Sequence, residues 1–183
     1  MLKELPVNGA ILTVEDVGMG HAIIFLHAGV ADRRMWDPPF EWLSASFRVI
    51  RWDARGFGDT PHVPGPFSYA ADVLAVMDGL GVQTATLIGC SMGGSTAIRV
   101  ALTEPDRVAR LVLVGSGLHG FERPDLLPPI VSEMQAAVEA QDWDRFLGLE
   151  EKFWIIGMNR DESQVEPTFL ALCRDMQRKA LQP

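Results

Sequence analysis

The sequence predicts an α/β fold, a mostly parallel sheet with helices on both faces, followed by a purely helical segment. Three observations predict it. Short apolar, β-rich runs alternate with helical patterns through residues 1–117. One of them, Ala22 to His27, is apolar at successive positions, as a strand buried on both faces should be. From residue 118 to 183 only helical patterns occur. The expected division is therefore a sheet-bearing part at 1–117 and a helical part at 118–183.

Taken in order, Ala10 to Val17 and Ala22 to His27 read as the first two strands. The segment MWDPPFEWLSAS carries Trp36, Phe40 and Leu43 as a short helix that Pro38-Pro39 should break. Phe47 to Trp52 is a further strand, packed through Val49, Ile50 and Trp52. Tyr69 to Leu80 places Val73, Val76, Met77 and Leu80 on one helical face and stops near Gly79 or Gly81. Thr84 to Ile88 is a strand, Ser91 to Leu102 a helix, and Val108 to Val114 the last strand. Strands and helices in alternation imply parallel βαβ units. Beyond residue 117, helical stripes run through Ile130, Val131, Met134 and Val138, then Phe146, Leu149, Phe153 and Ile156, then Phe169, Leu170, Cys173 and Met176.

Composition narrows the function classes. The chain has 183 residues, 48% of them hydrophobic, and a net charge of −8. That apolar fraction can offset the entropy of folding, and the acidic balance does not suit nucleic acid, whose phosphates need a basic surface. The longest uncharged stretch, Gly79 to Ile98, is too rich in Gly, Ser and Thr to span a membrane. The amino-terminal MLKELPVNGA has no apolar run of the secretory kind. Cys90 and Cys173 are too few and too far apart for a disulfide framework or a zinc site. A reduced, cytoplasmic setting is expected.

The chemistry concentrates in Gly89-Cys90-Ser91-Met92-Gly93-Gly94, which follows one strand and opens a helix. G-x-S-x-G in that context forms a sharp turn that holds the Ser hydroxyl above the sheet, and side chains larger than Gly would collide with its neighbours. The helix it opens aims free N–H groups at that point.

With this elbow, the chain resembles the α/β-hydrolase superfamily. His27-Ala28-Gly29 looks like the family's oxyanion loop, with Ala where Gly is usual, and Asp53-Ala54-Arg55-Gly56-Phe57-Gly58-Asp59 looks like the loop after its next strand. The three motifs stand in the family's order. The resemblance implies strands one to six of the family's sheet and, in residues 118–183, part of its helical cap. It implies a Ser91 nucleophile, an oxyanion hole built from the N–H groups of Gly29 and Met92, a small ester or related acyl substrate, and no metal or organic cofactor.

The family places its acid and then its histidine after the serine. Here His119 is the one histidine after Ser91, and the only carboxylates between them are Glu104 and Asp106, at the far end of the helix that Ser91 starts. His119, oriented by Glu122 or Asp125, is the candidate substitute base. Otherwise the expectation is a chain cut short before its acid and base, feeble or inactive alone, with an exposed sheet edge open to self-association. The competing reading is a non-catalytic or split binding module completed by another chain. His27 is read as a structural hydrogen-bonder, Asp53 and Arg55 as loop anchors, Cys90 as a packing residue, and His62 as a solvated rim residue. Trp143, Phe153 and Trp154 are read either as lining a cleft or as helix packing.

Overall fold

Asn8 and Gly9 take positive φ values, 45° and 83°, and close a two-residue hairpin between β1 (Leu2–Val7) and β2 (Ala10–Val17). The computed structural model describes residues 2–118, 120 and 127–181. Asn-Gly between two extended runs is a strong hairpin signal, because both residues tolerate the left-handed backbone the turn requires. β1 is thus a strand that the expected set omits although the sequence carries its signal.

The sheet has six strands in the order β1-β2-β4-β3-β5-β6. β3 spans Ala22–Leu26, β4 Arg48–Trp52, β5 Ala85–Cys90 and β6 Val108–Val114. The pairs β4–β3, β3–β5 and β5–β6 are parallel, whereas β2 runs antiparallel to both its neighbours. The mostly parallel sheet is as expected, with β2 the reversed strand. Leaving β3, the chain first moves to β4 on one side and later crosses to β5 on the other. Right-handed crossovers taken in opposite directions place their helices on opposite faces. This reversal makes the carboxyl ends of β3 and β5 the switch point where α/β sites form.

Three helices accompany the sheet: α1 (Asp37–Ser44), α2 (Tyr69–Gly79) and α3 (Met92–Thr103). Pro38 and Pro39 lie in the first turn of α1 rather than breaking it. No intrahelical N–H partner is needed there, so proline costs nothing. On one face Leu12, Val14, Ile24, Ile50 and Leu87 pack with Val73, Val76 and Met77 of α2 and Ala97 and Val100 of α3. On the other, Ile23, Phe25 and Val49 pack with Trp36 and Phe40. Each such aliphatic side chain removed from water contributes about 1.5–3 kcal/mol.

Coverage of both faces fails at β6. Leu111 and Leu113 share a face with Leu87 and Gly89, and Val112 and Val114 share the other with Ile88 and Cys90. All four are exposed, at 37–46%. Among the described residues β6 pairs with β5 alone, so it has no second strand to exclude water from its flank.

Residues 1–119 and 120–182 form separate compact units. The second contains α4 (Pro129–Glu139), α5 (Trp143–Glu150), a π-helical turn at Glu151–Ile156 and α6 (Pro167–Ala180). Ile130 and Met134 of α4 and Leu170, Cys173 and Met176 of α6 are buried as their spacing predicts, whereas Val138 and Phe169 are exposed. Arg174 ties α6 to the π turn through Glu151 and also reaches Glu162. Among the described residues, no helix is long and apolar enough to cross a membrane.

Candidate active site

Ser91 stands between β5 and α3 with φ 47° and ψ −109°. Holding a non-glycine residue there costs about 1–3 kcal/mol, so the surroundings must impose it. They do so through contact and hydrogen bonding. The Ser91 N–H donates to Val114 O at 3.0 Å, and the Ser95 N–H donates to Ser91 O at 3.0 Å. A Cβ on Gly89 would lie 2.4 Å from Gly93 O, and one on Gly93 would lie 2.2 Å from Leu26 O. The elbow is tight enough that only glycine fits either position, as its sequence predicts.

Gly29, just beyond β3, faces the start of α3. The position its missing Cβ would occupy lies 3.7 Å from Met92 Sδ and 3.8 Å from Met92 Cβ. Two segments more than sixty residues apart therefore meet beside Ser91. Met92, Gly93 and Gly94 begin α3, where N–H groups have no intrahelical acceptor and the helix dipole is positive. The arrangement can receive developing negative charge next to a hydroxyl.

His27 is buried beneath this loop. Its Nε2 accepts the Ala54 N–H at 2.9 Å, and its Nδ1–H donates to Ala28 O at 2.8 Å. Both nitrogens are thus committed to backbone in the neutral ring, and burial pushes its pKa below the ordinary histidine range. This is the structural role its sequence context suggests. Ala28 N–H is committed too, donating to Met35 Sδ at 3.3 Å.

Asp53 and Arg55 anchor their loop. The fully buried Asp53 carboxylate accepts from the Arg33 N–H, the Arg33 guanidinium and the Asp59 N–H. Arg55 binds Asp72 of α2 in bidentate fashion at 2.7 and 2.8 Å and donates to the carbonyls of Val7 and Asn8. Asn8 completes the cluster by donating to Asp72 at 2.9 Å. The β1–β2 turn, the loop after β4 and α2 are joined at one buried ion pair.

His119 lies outside the described residues. His21 bonds Thr86 at 2.8 Å and His62 is exposed. Among the described residues, no histidine makes a hydrogen bond with Ser91. Burial pushes the Cys90 thiol up, which suits a packing residue. In the second unit Trp143 and Trp154 are 45% and 56% exposed, and the Phe153 and Trp154 rings lie with centroids 4.4 Å apart at an interplanar tilt of 60°. No group of three or more His, Cys, Asp or Glu among the described residues is placed to hold a metal ion.

Sequence reasoning missed the walls of the cavity beside Ser91. It is lined by Tyr69, Met92, Ser95, Thr96 and Gly117 as well as Ser91. Tyr69 starts α2 and looks like any amphipathic helix residue, so nothing local marks it.

Residues 21–154 match the family model described as alpha/beta hydrolase fold. The chain is 36% identical over 124 residues to the 2-hydroxy-6-oxononadienedioate/2-hydroxy-6-oxononatrienedioate hydrolase of Comamonas testosteroni, covering 63% of this chain and 43% of that one. Among solved structures, the enol-lactonase of Burkholderia xenovorans LB400 superimposes with a TM-score of 0.73 at 27% identity, covering 97% of this chain and 70% of that one. A thermophilic esterase of Thermogutta terrifontis gives 0.72 at 27% identity, covering 100% and 72%. The chain spans less than half the length of several curated relatives it matches.

Proposed function

The chain belongs to the α/β-hydrolase fold family, and from that premise we propose that it carries the nucleophile and oxyanion hole of a serine hydrolase for small esters or related acyl compounds. The observation that carries this reading is the strained Ser91 at the head of α3, with Gly29 packed across Met92. Ser91 Oγ would attack the acyl carbon. The carbonyl oxygen, gaining negative charge, would be received by the N–H groups of Met92 and Gly29, an interaction stronger in the transition state than in the ground state. The matched relatives and structures include a dienedioate hydrolase, an enol-lactonase and an esterase, all of which suit acyl chemistry.

A serine needs a base to take its proton, and none of the described histidines reaches Ser91. Feeble turnover of activated short-chain esters by the 183-residue protein is therefore expected. The same observation favours the second reading, a binding module without catalysis. Incubation with 4-nitrophenyl acetate followed by intact-mass and peptide mapping separates the two. A single acetyl group on Ser91, absent from Ser91→Ala, supports the hydrolase reading. Unmodified Ser91 after prolonged exposure favours the binding module. Rapid turnover abolished by Ser91→Ala would show that a base is at hand and point to His119.

A further inference from the structure

The peptide between Ala28 and Gly29 carries one of the two N–H groups of the proposed oxyanion hole, and its direction is set from the Ala28 side. Ala28 O accepts the His27 Nδ1–H at 2.8 Å and the Ala31 N–H at 3.1 Å. The peptide is trans and planar, so the Gly29 N–H points away from those two donors. Among the described residues, no acceptor takes that N–H. The carbonyl is anchored while the N–H stays available, as a donor to a developing negative charge must be.

The preceding peptide, between His27 and Ala28, is held through its N–H, which donates to Met35 Sδ at 3.3 Å. Ala28 is buried, so water is a poor substitute for that acceptor. A thioether accepts only weakly, but an amide left unpaired in a dry place is more unfavourable still. Two features bring the sulfur there. Met35 lies in a single 3-10 turn, Arg33–Trp36, whose start is capped by the Asp32 carboxylate accepting the Arg34 N–H. Its own N–H donates to Asp32 O at 3.1 Å. Its side chain then packs against Ile23, Phe25, Trp36, Phe40 and Val49. The turn fixes the root of the side chain and the apolar cluster restrains its length.

We infer that Met35 is a positioning residue for the oxyanion hole: its thioether pins the Ala28 N–H and so restrains the next peptide, which aims the Gly29 N–H. The inference rests on Ser91 being the nucleophile. Both peptides pivot on the Ala28 Cα. Without the sulfur, the Ala28 N–H finds a new partner only by turning its own peptide, and the Ala28–Gly29 peptide turns with it. The transition state then loses part of a hydrogen bond that the bound ester scarcely uses, so the rate falls while binding does not.

The test is acylation of Ser91 by 4-nitrophenyl acetate, followed over a range of ester concentrations so that the acylation rate constant separates from the dissociation constant of the ester. In the step measured, Ser91 Oγ forms a bond to the acyl carbon, the bond from that carbon to the phenolic oxygen breaks, and the serine proton leaves with the 4-nitrophenol. Leucine keeps the bulk of methionine but has no lone pair to offer. Met35→Leu should therefore slow acylation roughly tenfold and leave the dissociation constant within about twofold, outright loss of an oxyanion donor costing about a hundredfold or more. Val49→Ala loosens the same cluster but keeps the sulfur, and should leave the acylation rate constant of the folded protein unchanged. By NMR, the Ala28 amide proton should exchange with solvent roughly tenfold faster in Met35→Leu than in the wild type. If Met35→Leu does not fold, the wild-type protein decides. An Ala28 amide slowed about tenfold or more relative to an unfolded chain supports the inference, and a faster one overturns it. An unchanged acylation rate constant in Met35→Leu, or an equal fall in Val49→Ala, overturns the inference while leaving Ser91 as nucleophile. No acylation of the wild-type protein overturns the Ser91 reading and the role of Met35 with it.

Discussion

His27 Nε2 accepts the Ala54 N–H at 2.9 Å, so a single buried imidazole joins the loop after β3 to the loop after β4. The bond exists only while the ring is neutral. Burial holds the His27 pKa below its ordinary value near 6.5, and the unfolded chain therefore binds the proton more readily. The sign follows directly: this contribution to stability is present above about pH 6.5 and is lost as pH falls through the folded-state pKa. Thermal melts of the sheet-bearing unit from pH 7.5 to 5 should show a falling Tm. His27→Phe should cost about 1–3 kcal/mol at pH 7.5, by orphaning the Ala54 N–H, and should flatten the acid limb. An acid limb unchanged in His27→Phe would assign it to other groups.

Ser91 carries a second stability consequence. Its backbone, at φ 47° and ψ −109°, is strained for any residue with a Cβ. Ser91→Gly should raise the stability of the protein by about 1 kcal/mol in urea unfolding while removing the acylated peptide. A loss of stability in that variant would mean that the side chain, rather than the turn, holds the elbow together.

The helical unit should respond to pH in the opposite sense. Burial raises Glu150, at the end of α5, to about 7, with the Gln177 amide drawing it partway back. A carboxyl whose folded-state pKa is raised binds its proton more tightly in the folded chain. Its contribution is present below the unfolded value near 4.5 and is lost as pH rises through about 7. Glu150→Gln should remove that alkaline loss, read from helix-specific hydrogen exchange between pH 6 and 8. Identical exchange profiles in the two proteins would exclude Glu150 as its source.

β6 is an edge strand of the sheet among the described residues. Its residues Leu111 to Val114 are exposed, and the strand hydrogen-bonds only β5 among the described residues. Flat apolar edges pair with other chains. The 183-residue protein should associate with itself in sedimentation at tens of micromolar, and Val112→Lys should return it towards monomer. A monodisperse wild-type monomer at that concentration would count against the edge as an association surface.

The sequence by itself determined the elements and the elbow. Val108–Val114 is observed at the bounds its pattern predicts, and Gly89, Gly93 and Ser91 sit where a strand running into a helix must place them. Those features are local: periodicity, capping and the steric demand of one turn. The Asn8-Gly9 hairpin was equally local and equally legible, and β1 follows from it. Tertiary structure alone decided the rest. Gly29 meets Met92 because β3 and β5 are neighbours although β4 comes between them in sequence, and no window of residues carries that order. His27 becomes a structural ring because Ala54 arrives above it, and Tyr69 becomes a cavity wall because α2 crosses towards α3. The exposure of Leu111 to Val114, an apolar run that reads as buried, was also decided by what packs beside it. Burial and partnership belong to pairs of distant residues, and it is the strand order that brings those pairs together.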